Sequence, residues 1–129
     1  MDKVVSRIPH QFVPGIADTV RAQGGTTIYV SGIVGVDEEG NPPRDFAEQS
    51  RLAGTTLIAS LAKQGAKPSD IVRLNVYVVD LDEERTDTWH RARDEKFALE
   101  DAPASTLLGV ARLYSPDAWI EIEATAVIG

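Results

Sequence analysis

The sequence predicts a small α+β domain in which two helices pack on one face of a sheet. The first observation is the order of the segments: strand-like runs come first, followed by a helix, a strand, a second helix and two final strands. The second is that several strands carry apolar or aromatic side chains on both faces. Two helices can cover only one face of a small sheet. The length, residues 1–129, predicts a single domain.

The first part of the chain predicts three strands. Lys3–Ile8 and Val20–Gln23 are short candidates, and Gly24-Gly25 is expected to turn the second of them back in a hairpin onto Thr26–Val34. The third run is rich in β-branched and aromatic residues, which favours a strand. Ser31-Gly32 interrupts it, and a glycine inside a strand often marks a bulge or a close backbone approach. A simple kink is the alternative.

A first helix is expected over Phe46–Gln64. Asp45 precedes it and Glu48 follows three residues later, a spacing that predicts a capping box. Gly65 stands where a C-terminal cap glycine is common. A stripe of apolar residues recurs at helical spacing and predicts the core face: Phe46, Ala53, Leu57 and Leu61.

The run Ile71–Val79 predicts a strand with one wholly apolar face, formed by Val72, Leu74, Val76 and Val78. A second helix is expected to follow and to end at Phe97 or Ala98. Its start is marked by three acidic residues, which the helix dipole favours there: Asp82, Glu83 and Glu84. Its few apolar residues are Trp89, Ala92 and Phe97.

The stretch Ala102–Ile128 predicts two more strands joined by a turn at Tyr114–Asp117. Because side chains alternate along a strand, four apolar residues of the second run share one face: Ile120, Ile122, Ala124 and Ala126. Glu121 and Glu123 fall on the other face with Trp119 and Val127. Two carboxylates beside apolar groups are unusual for a strand that simply faces water, although antiparallel sheets often have one wet face.

The face without helices predicts a homo-oligomer. Apolar or aromatic side chains are expected there on several strands: Tyr77, Val79, Leu107, Leu113, Trp119 and Val127. Large exposed apolar patches usually mark an interface. A monomer with a partly apolar open face is the alternative.

Composition excludes several classes of function. The net charge of −7 argues against a nucleic-acid partner, because binding to phosphates needs clustered Lys and Arg. The chain has no cysteine, and His10 and His90 are far apart, so no metal site is expected. No apolar run is long enough for a signal peptide or a membrane helix. We therefore expect a cytoplasmic protein without a membrane partner.

Five segments occur in an order and spacing that one family shares. They are Val30-Ser31-Gly32, the helix with Glu48-Gln49, residues 71–81, Pro103-Ala104-Ser105-Thr106, and Ile120–Ala124. This ordered set, which covers nearly the whole chain, resembles the reactive-intermediate deaminase family, also called RidA/YjgF. The resemblance implies a chorismate-mutase-like fold with a mixed sheet, and a homotrimer with clefts between neighbouring subunits.

The resemblance also implies an enzyme that hydrolyses enamines or imines, such as 2-aminoacrylate, to a 2-keto acid and ammonia without a cofactor. Carried over by position, Glu121 is the glutamate that positions water or relays protons, and Ser31 and Gly32 line the cleft. Ser105 stands where the family has an arginine that binds the substrate carboxylate, and Leu107 stands where a cysteine is common. A hydroxyl cannot replace a bidentate charged guanidinium, so we expect an altered choice of substrate.

Another cation is a candidate for holding an anionic group. Arg93 lies on the second helix, before the Pro-Ala segment, and Arg91 is its rival because the register is uncertain by about two residues. The alternative is that both are solvated surface arginines. For Glu121, the alternative is a structural carboxylate at the trimer interface.

The leading hypothesis for function is a trimeric imine or enamine hydrolase that releases ammonia from a reactive small molecule. The alternatives are a non-catalytic trimer that binds a small metabolite such as a keto acid, and a pathway-specific hydrolase or isomerase. Ribonuclease activity is sometimes attributed to the family, but an acidic chain disfavours it.

Overall fold

The computed structural model describes residues 2–129. Its strands are β1 (Val4–Pro9), β2 (Ala17–Gln23), β3 (Thr26–Val34), β4 (Ile71–Val79), β5 (Ala104–Val110) and β6 (Ile120–Ile128). Its helices are α1 (Phe46–Ala62) and α2 (Glu83–Lys96), and two 3₁₀ turns lie at Pro68–Asp70 and Leu99–Asp101. The elements follow the predicted order, and the α+β class is confirmed.

The strands form one mixed sheet in the order β1-β2-β5-β4-β6-β3. β4 and β5 are parallel, while β6 runs antiparallel to both of its neighbours, β4 and β3. β2 meets β5 in parallel only where Ala17 pairs with Ala104. The final two strands are therefore not neighbours, because β4 lies between them. In this order β4 and β6 are interior strands, and β3 is an edge strand.

Both helices pack on one face of the sheet, where the predicted apolar stripes meet. The α1 stripe is buried as expected, with Ala53, Leu57 and Leu61 at 0% exposure. Facing it are the apolar residues of β4 and β6: Leu74, Val76, Val78, Ile120, Ile122, Ala124 and Ala126. Trp89 of α2 completes this core and is 2% exposed. Burying each such large side chain stabilises the fold by about 1.5–3 kcal/mol.

The expected hairpin at Gly24-Gly25 is wrong. β2 pairs with β1, with Val4 opposite Gln23, whereas β3 pairs with β6. The two glycines have φ of 70° and 72°, values that favour glycine, and they redirect the chain between non-adjacent strands. A Cβ on Gly25 would lie 2.2 Å from the carbonyl oxygen of Ile128, so the chain enters β3 directly against the end of β6.

Two other expectations are corrected at α1. Asp45 makes no side-chain capping bond, so the predicted capping box is absent. Glu48 instead forms an ion pair with Arg51, a charged partner one turn further along the helix. The helix ends at Ala62 rather than Gln64. At α2, by contrast, the Asp82 carboxylate accepts from the backbone N–H of Arg85 as an N-cap, and the helix ends at Lys96.

Two side chains expected on the open face lie elsewhere, and Leu113 lies in the connection between β5 and β6, outside both strands. Trp119 precedes β6, so strand alternation does not extend to it, and its ring packs against the core beneath the guanidinium of Arg85. Leu107 faces the helices because it pairs with the buried Val76. The open face still carries exposed apolar groups: Tyr29 is 81% exposed and Leu108 is 48% exposed.

The N-terminal segment is held to the sheet by an ion pair. Lys3 donates to the buried carboxylate of Asp70 and to the carbonyl oxygen of Val127 at 2.7 Å. Burial acts to raise the pKa of Asp70, but the hydrogen bonds from Lys3 and from the backbone N–H of Lys67 outweigh burial, and the pKa is lowered overall. The folded state therefore favours the ionised carboxylate.

We expect the Asp70 ion pair to contribute to acid sensitivity. A carboxylate with a lowered pKa in the folded state stabilises it above the unfolded pKa of about 4, and this stability is lost as pH falls from there through the folded pKa. Asp70→Asn should lower the free energy of unfolding near pH 6 and flatten its decline below pH ~4. Urea unfolding from pH 6 to 2 measures both. Asp117→Asn, at an exposed ion pair with Arg44, is the control that should keep the wild-type decline.

Candidate functional site

The Ser31-Gly32 interruption of β3 is a bulge. Val30 pairs with Ala124 and Ile33 pairs with Ile122, so two residues of β3 oppose the single residue Glu123. Bulges bend a strand and change the direction of nearby groups. The alternative of a simple kink does not fit this register.

The bulge brings Gly32 against the carboxyl group of Glu121. A Cβ on Gly32 would lie 2.8 Å from Cδ and 2.9 Å from Oε2 of Glu121. Any side chain at this position would require the Glu121 carboxyl to move. On the open face of the sheet, Glu121 lies opposite Tyr77 of β4 and is half-buried. The approach places a carboxylate directly beside the backbone of an edge strand.

The two carboxylates of β6 have different environments. Glu123 accepts a hydrogen bond from the Tyr77 hydroxyl at 2.5 Å and one from the Asn75 amide at 3.3 Å. The bond to Glu123 raises the pKa of Tyr77, and burial adds to this effect. Within residues 2–129, Glu121 has no side-chain hydrogen-bond or ion-pair partner. The Glu123 carboxylate is therefore occupied by bonds within the sheet, while the Glu121 carboxylate is available to bind a ligand.

Ser105 and Leu107 lie on the opposite face of the sheet from Glu121. Ser105 pairs with Leu74, and Leu107 pairs with Val76, so both share the face that the helices cover. Both are half-buried, and Leu107 packs against the core. Within one chain, the sheet separates these two residues from Glu121.

Arg93 points inward and Arg91 does not. Arg93 is 5% exposed, while Arg91 is exposed and donates to Thr88 on its own helix. The Arg93 guanidinium donates from Nη2 to the carbonyl oxygen of Pro14 at 3.2 Å and from Nε to Asp94 at 3.0 Å. The loop it binds leads into β2, and the N–H of Ala17 donates to the carbonyl of Pro103, just before Ser105.

Sequence reasoning missed how closely Arg93 and Gly15 pack. Gly15 has φ of 84°, and a Cβ there would lie 2.1 Å from Nη2 of Arg93. The Pro14-Gly15 pair signalled only a loop, since the sequence does not show which distant side chain the loop covers. Tyr77 and Asn75 were likewise missed as partners of Glu123, because that pairing depends on the register of β4 with β6.

A single chain offers open depressions beside these residues. One of about 280 Å³ lies along β3 and the end of α1, and its lining includes Ser31, Gly32 and Lys63.

Within residues 2–129 no three His, Asp or Glu side chains are arranged to hold a metal ion. In the same range, no helix has both the length and the apolar content to cross a membrane.

Comparison with known proteins identifies the family. The family model described as Endoribonuclease L-PSP, which represents the RidA/YjgF proteins, matches residues 12–128. The chain belongs to the RidA/YjgF family.

Two relatives and one solved structure show how similar the chain is to other members of this family. The 2-iminobutanoate/2-iminopropanoate deaminase of Escherichia coli K12 is 37% identical over 107 residues, 80% of each chain. RutC family protein YjgH of the same organism is 33% identical over 100 residues, covering 78% of this chain and 76% of that protein. The Rid family protein YyfB of Yersinia pestis has a TM-score of 0.83 at 28% identity, over 99% of this chain and 100% of that one.

In this RidA/YjgF chain, we expect Gly32→Ala to displace the Glu121 carboxyl without unfolding the protein. The added methyl would meet the far end of a flexible side chain rather than backbone, and Gly32 has no positive φ. The free energy of unfolding should change by less than about 1 kcal/mol. A crystal structure of the variant should show Glu121 in another rotamer, and a loss of several kcal/mol would contradict this account.

Proposed function

We propose that the chain is a homotrimeric imine or enamine hydrolase whose central residue is Glu121. The observation that carries the proposal is the free carboxylate of Glu121, held against Gly32 while the neighbouring Glu123 is bonded to Tyr77. The similarity to 2-iminobutanoate/2-iminopropanoate deaminases supports the reaction class.

The proposed site requires two subunits. Glu121, Ser31 and Gly32 lie at the open face and its edge, while Arg93, Ser105 and Leu107 belong to the helix-covered side. A cleft lined by both groups therefore forms where the open face of one chain meets the other side of its neighbour. Exposed Tyr29 and Leu108 on the open face favour such an interface, because exposed apolar patches usually mark contacts.

The proposed chemistry is hydration of a carbon–nitrogen double bond. An enamine first tautomerises to the imine by moving a proton to carbon. Glu121 accepts a proton from water as the oxygen bonds to the imine carbon, and the nitrogen gains a proton, which gives a carbinolamine. The carbon–nitrogen bond then breaks, ammonia leaves, and a carbonyl group remains. General acid–base assistance of this kind typically contributes a factor of about 10²–10⁴, and no cofactor takes part.

The decisive experiment is ammonia release from imines generated in the assay. Amino-acid oxidases and amine oxidases supply the imines, and semicarbazide traps what escapes hydrolysis. We expect the protein to reduce trapped imine and to accelerate ammonia release with at least one of them. If no imine or enamine is hydrolysed faster than in buffer, the proposed activity is wrong. Analytical ultracentrifugation tests the trimer independently.

A metabolite-binding trimer is the second candidate. Ser105 at the position of the family's carboxylate-binding arginine favours it, because the charged partner that holds the deaminase substrate in the family is missing. Calorimetric titration with keto acids, run beside the ammonia assay, separates the two candidates. Binding without ammonia release would favour the sensor. A pathway-specific hydrolase or isomerase would appear as turnover of another carbonyl compound.

A further inference from the structure

In the helix-side half of the proposed cleft, the guanidinium of Arg93 is buried and already bonded to the fold. Arg93, the cation that could have replaced the missing arginine, is 5% exposed and already donates to Pro14 and Asp94. Its guanidinium lies so close to Gly15 that a Cβ there would overlap it. Releasing Arg93 to a ligand would leave the carbonyl of Pro14 without this donor and free the loop that leads into β2.

The other residues of this half offer a substrate little that is polar. Ser105 contributes one hydroxyl, and Leu107 contributes an apolar side chain where a polar group is common in the family. Burial lowers the pKa of His90, which lies near Arg93 on the same helix, and the charge of Arg93 lowers it further. His90 therefore favours its neutral form more than a solvent-exposed histidine does. Neither Arg93 nor His90 therefore replaces a carboxylate clamp.

The open-face half is negative. Glu121 presents a carboxylate without a side-chain partner among residues 2–129. Arg73 is on the same face, but it pairs with Thr125, four strand residues from Glu121, a separation of about 13 Å. Lys63 borders Ser31 and Gly32, but it is exposed, so water and salt screen its charge.

We propose that the substrate is an imine without a carboxylate, with a small apolar substituent, and that it binds neutral or as the iminium ion. This inference rests on the proposed function. A carboxylate in the cleft would lie near Glu121, and the one buried cation among residues 2–129, Arg93, is already bonded to Pro14 and Asp94, so repulsion and desolvation would weaken its binding. An iminium ion is attracted by the same carboxylate, and Leu107 suits an alkyl group. Water adds to the imine carbon, and an aldehyde or ketone and ammonia leave.

A matched pair of substrates tests this inference. Propan-1-imine, formed from propylamine by an amine oxidase, differs from 2-iminobutanoate, formed from 2-aminobutanoate by an amino-acid oxidase, only by the carboxylate. We expect kcat/KM for propan-1-imine to be higher by about tenfold or more, the ratio that 1.4 kcal/mol of unfavourable interaction gives. A preference for 2-iminobutanoate would overturn the inference and leave the proposed hydrolase standing. If the protein hydrolyses neither substrate, nor any other imine, both the inference and the proposed hydrolase function are wrong.

Substitution at residue 105 gives a second readout. Ser105→Arg should raise kcat/KM for 2-iminobutanoate by about tenfold or more, because a guanidinium supplies the bidentate charged partner. Ser105→Gln, which adds length without charge, is the matched control and should give no such gain. An equal gain with both variants would show that charge at this position is not what limits the reaction. The inference would then be wrong.

Discussion

Glu121→Gln should lower turnover of the imine substrate by a factor of about 10²–10⁴, the usual contribution of a general base. Glutamine has the same shape as glutamate, so it fits against Gly32 without disturbing β6. It cannot accept a proton from water, and it removes the negative charge that the iminium ion would meet. Loss of the base should lower kcat and loss of the attraction to the iminium ion should raise KM, while the oligomeric state and the free energy of unfolding stay nearly unchanged.

Glu123→Gln is the matched control, because it makes the same substitution two residues along the same face of β6. The amide introduced there keeps an oxygen that accepts from Tyr77 and Asn75, so we expect nearly wild-type turnover. Steady-state ammonia release and sedimentation of both variants decide the matter. Equal losses of turnover in the two variants would mean that both carboxylates of β6 serve only to maintain the structure. Full activity of Glu121→Gln would remove Glu121 from the mechanism.

The strands and helices could be predicted because burial alternates at two known periods. The period of 3.6 placed Ala53, Leu57 and Leu61 on one side of α1, and the period of 2 placed Ile120 and Ile122 on the buried side of β6. These local patterns do not specify which strands pair. The expected β2–β3 hairpin is wrong for that reason, since β3 pairs with β6 from the other end of the chain.

The candidate site was only partly accessible to sequence reasoning. Alternation placed Glu121 and Glu123 on one face, but it could not distinguish them, because the bonds of Glu123 come from a different strand. Arg93 was chosen by position alone, and its contacts with the Pro14 loop required the structure. Alternation also failed at Trp119, which lies outside β6.

Gln49→Leu should lower the free energy of unfolding by about 3–5 kcal/mol. The loss comes from the hydrogen bonds of the buried Gln49 amide rather than from lost packing. Gln49 lies in α1 at 0% exposure. Its Oε1 accepts from the backbone N–H of Trp119 at 2.8 Å, and its Nε2 donates to the carbonyl oxygens of Pro43 at 2.8 Å and Asp117 at 3.2 Å. Leucine fills similar space but leaves three partly buried backbone groups without their partner, each costing about 1–3 kcal/mol before relaxation.

The same network connects stability to the candidate site, since Trp119 and Asp117 immediately precede the strand that carries Glu121. Urea unfolding measures the stability change, and hydrogen exchange at the Trp119 amide should speed up markedly, because that N–H loses its acceptor. Gln64→Leu, the same substitution at an exposed position just beyond α1, should change stability by about 0.5 kcal/mol or less. A loss below about 1 kcal/mol for Gln49→Leu would show that water replaces the amide, and that β6 is positioned by its strand pairing alone.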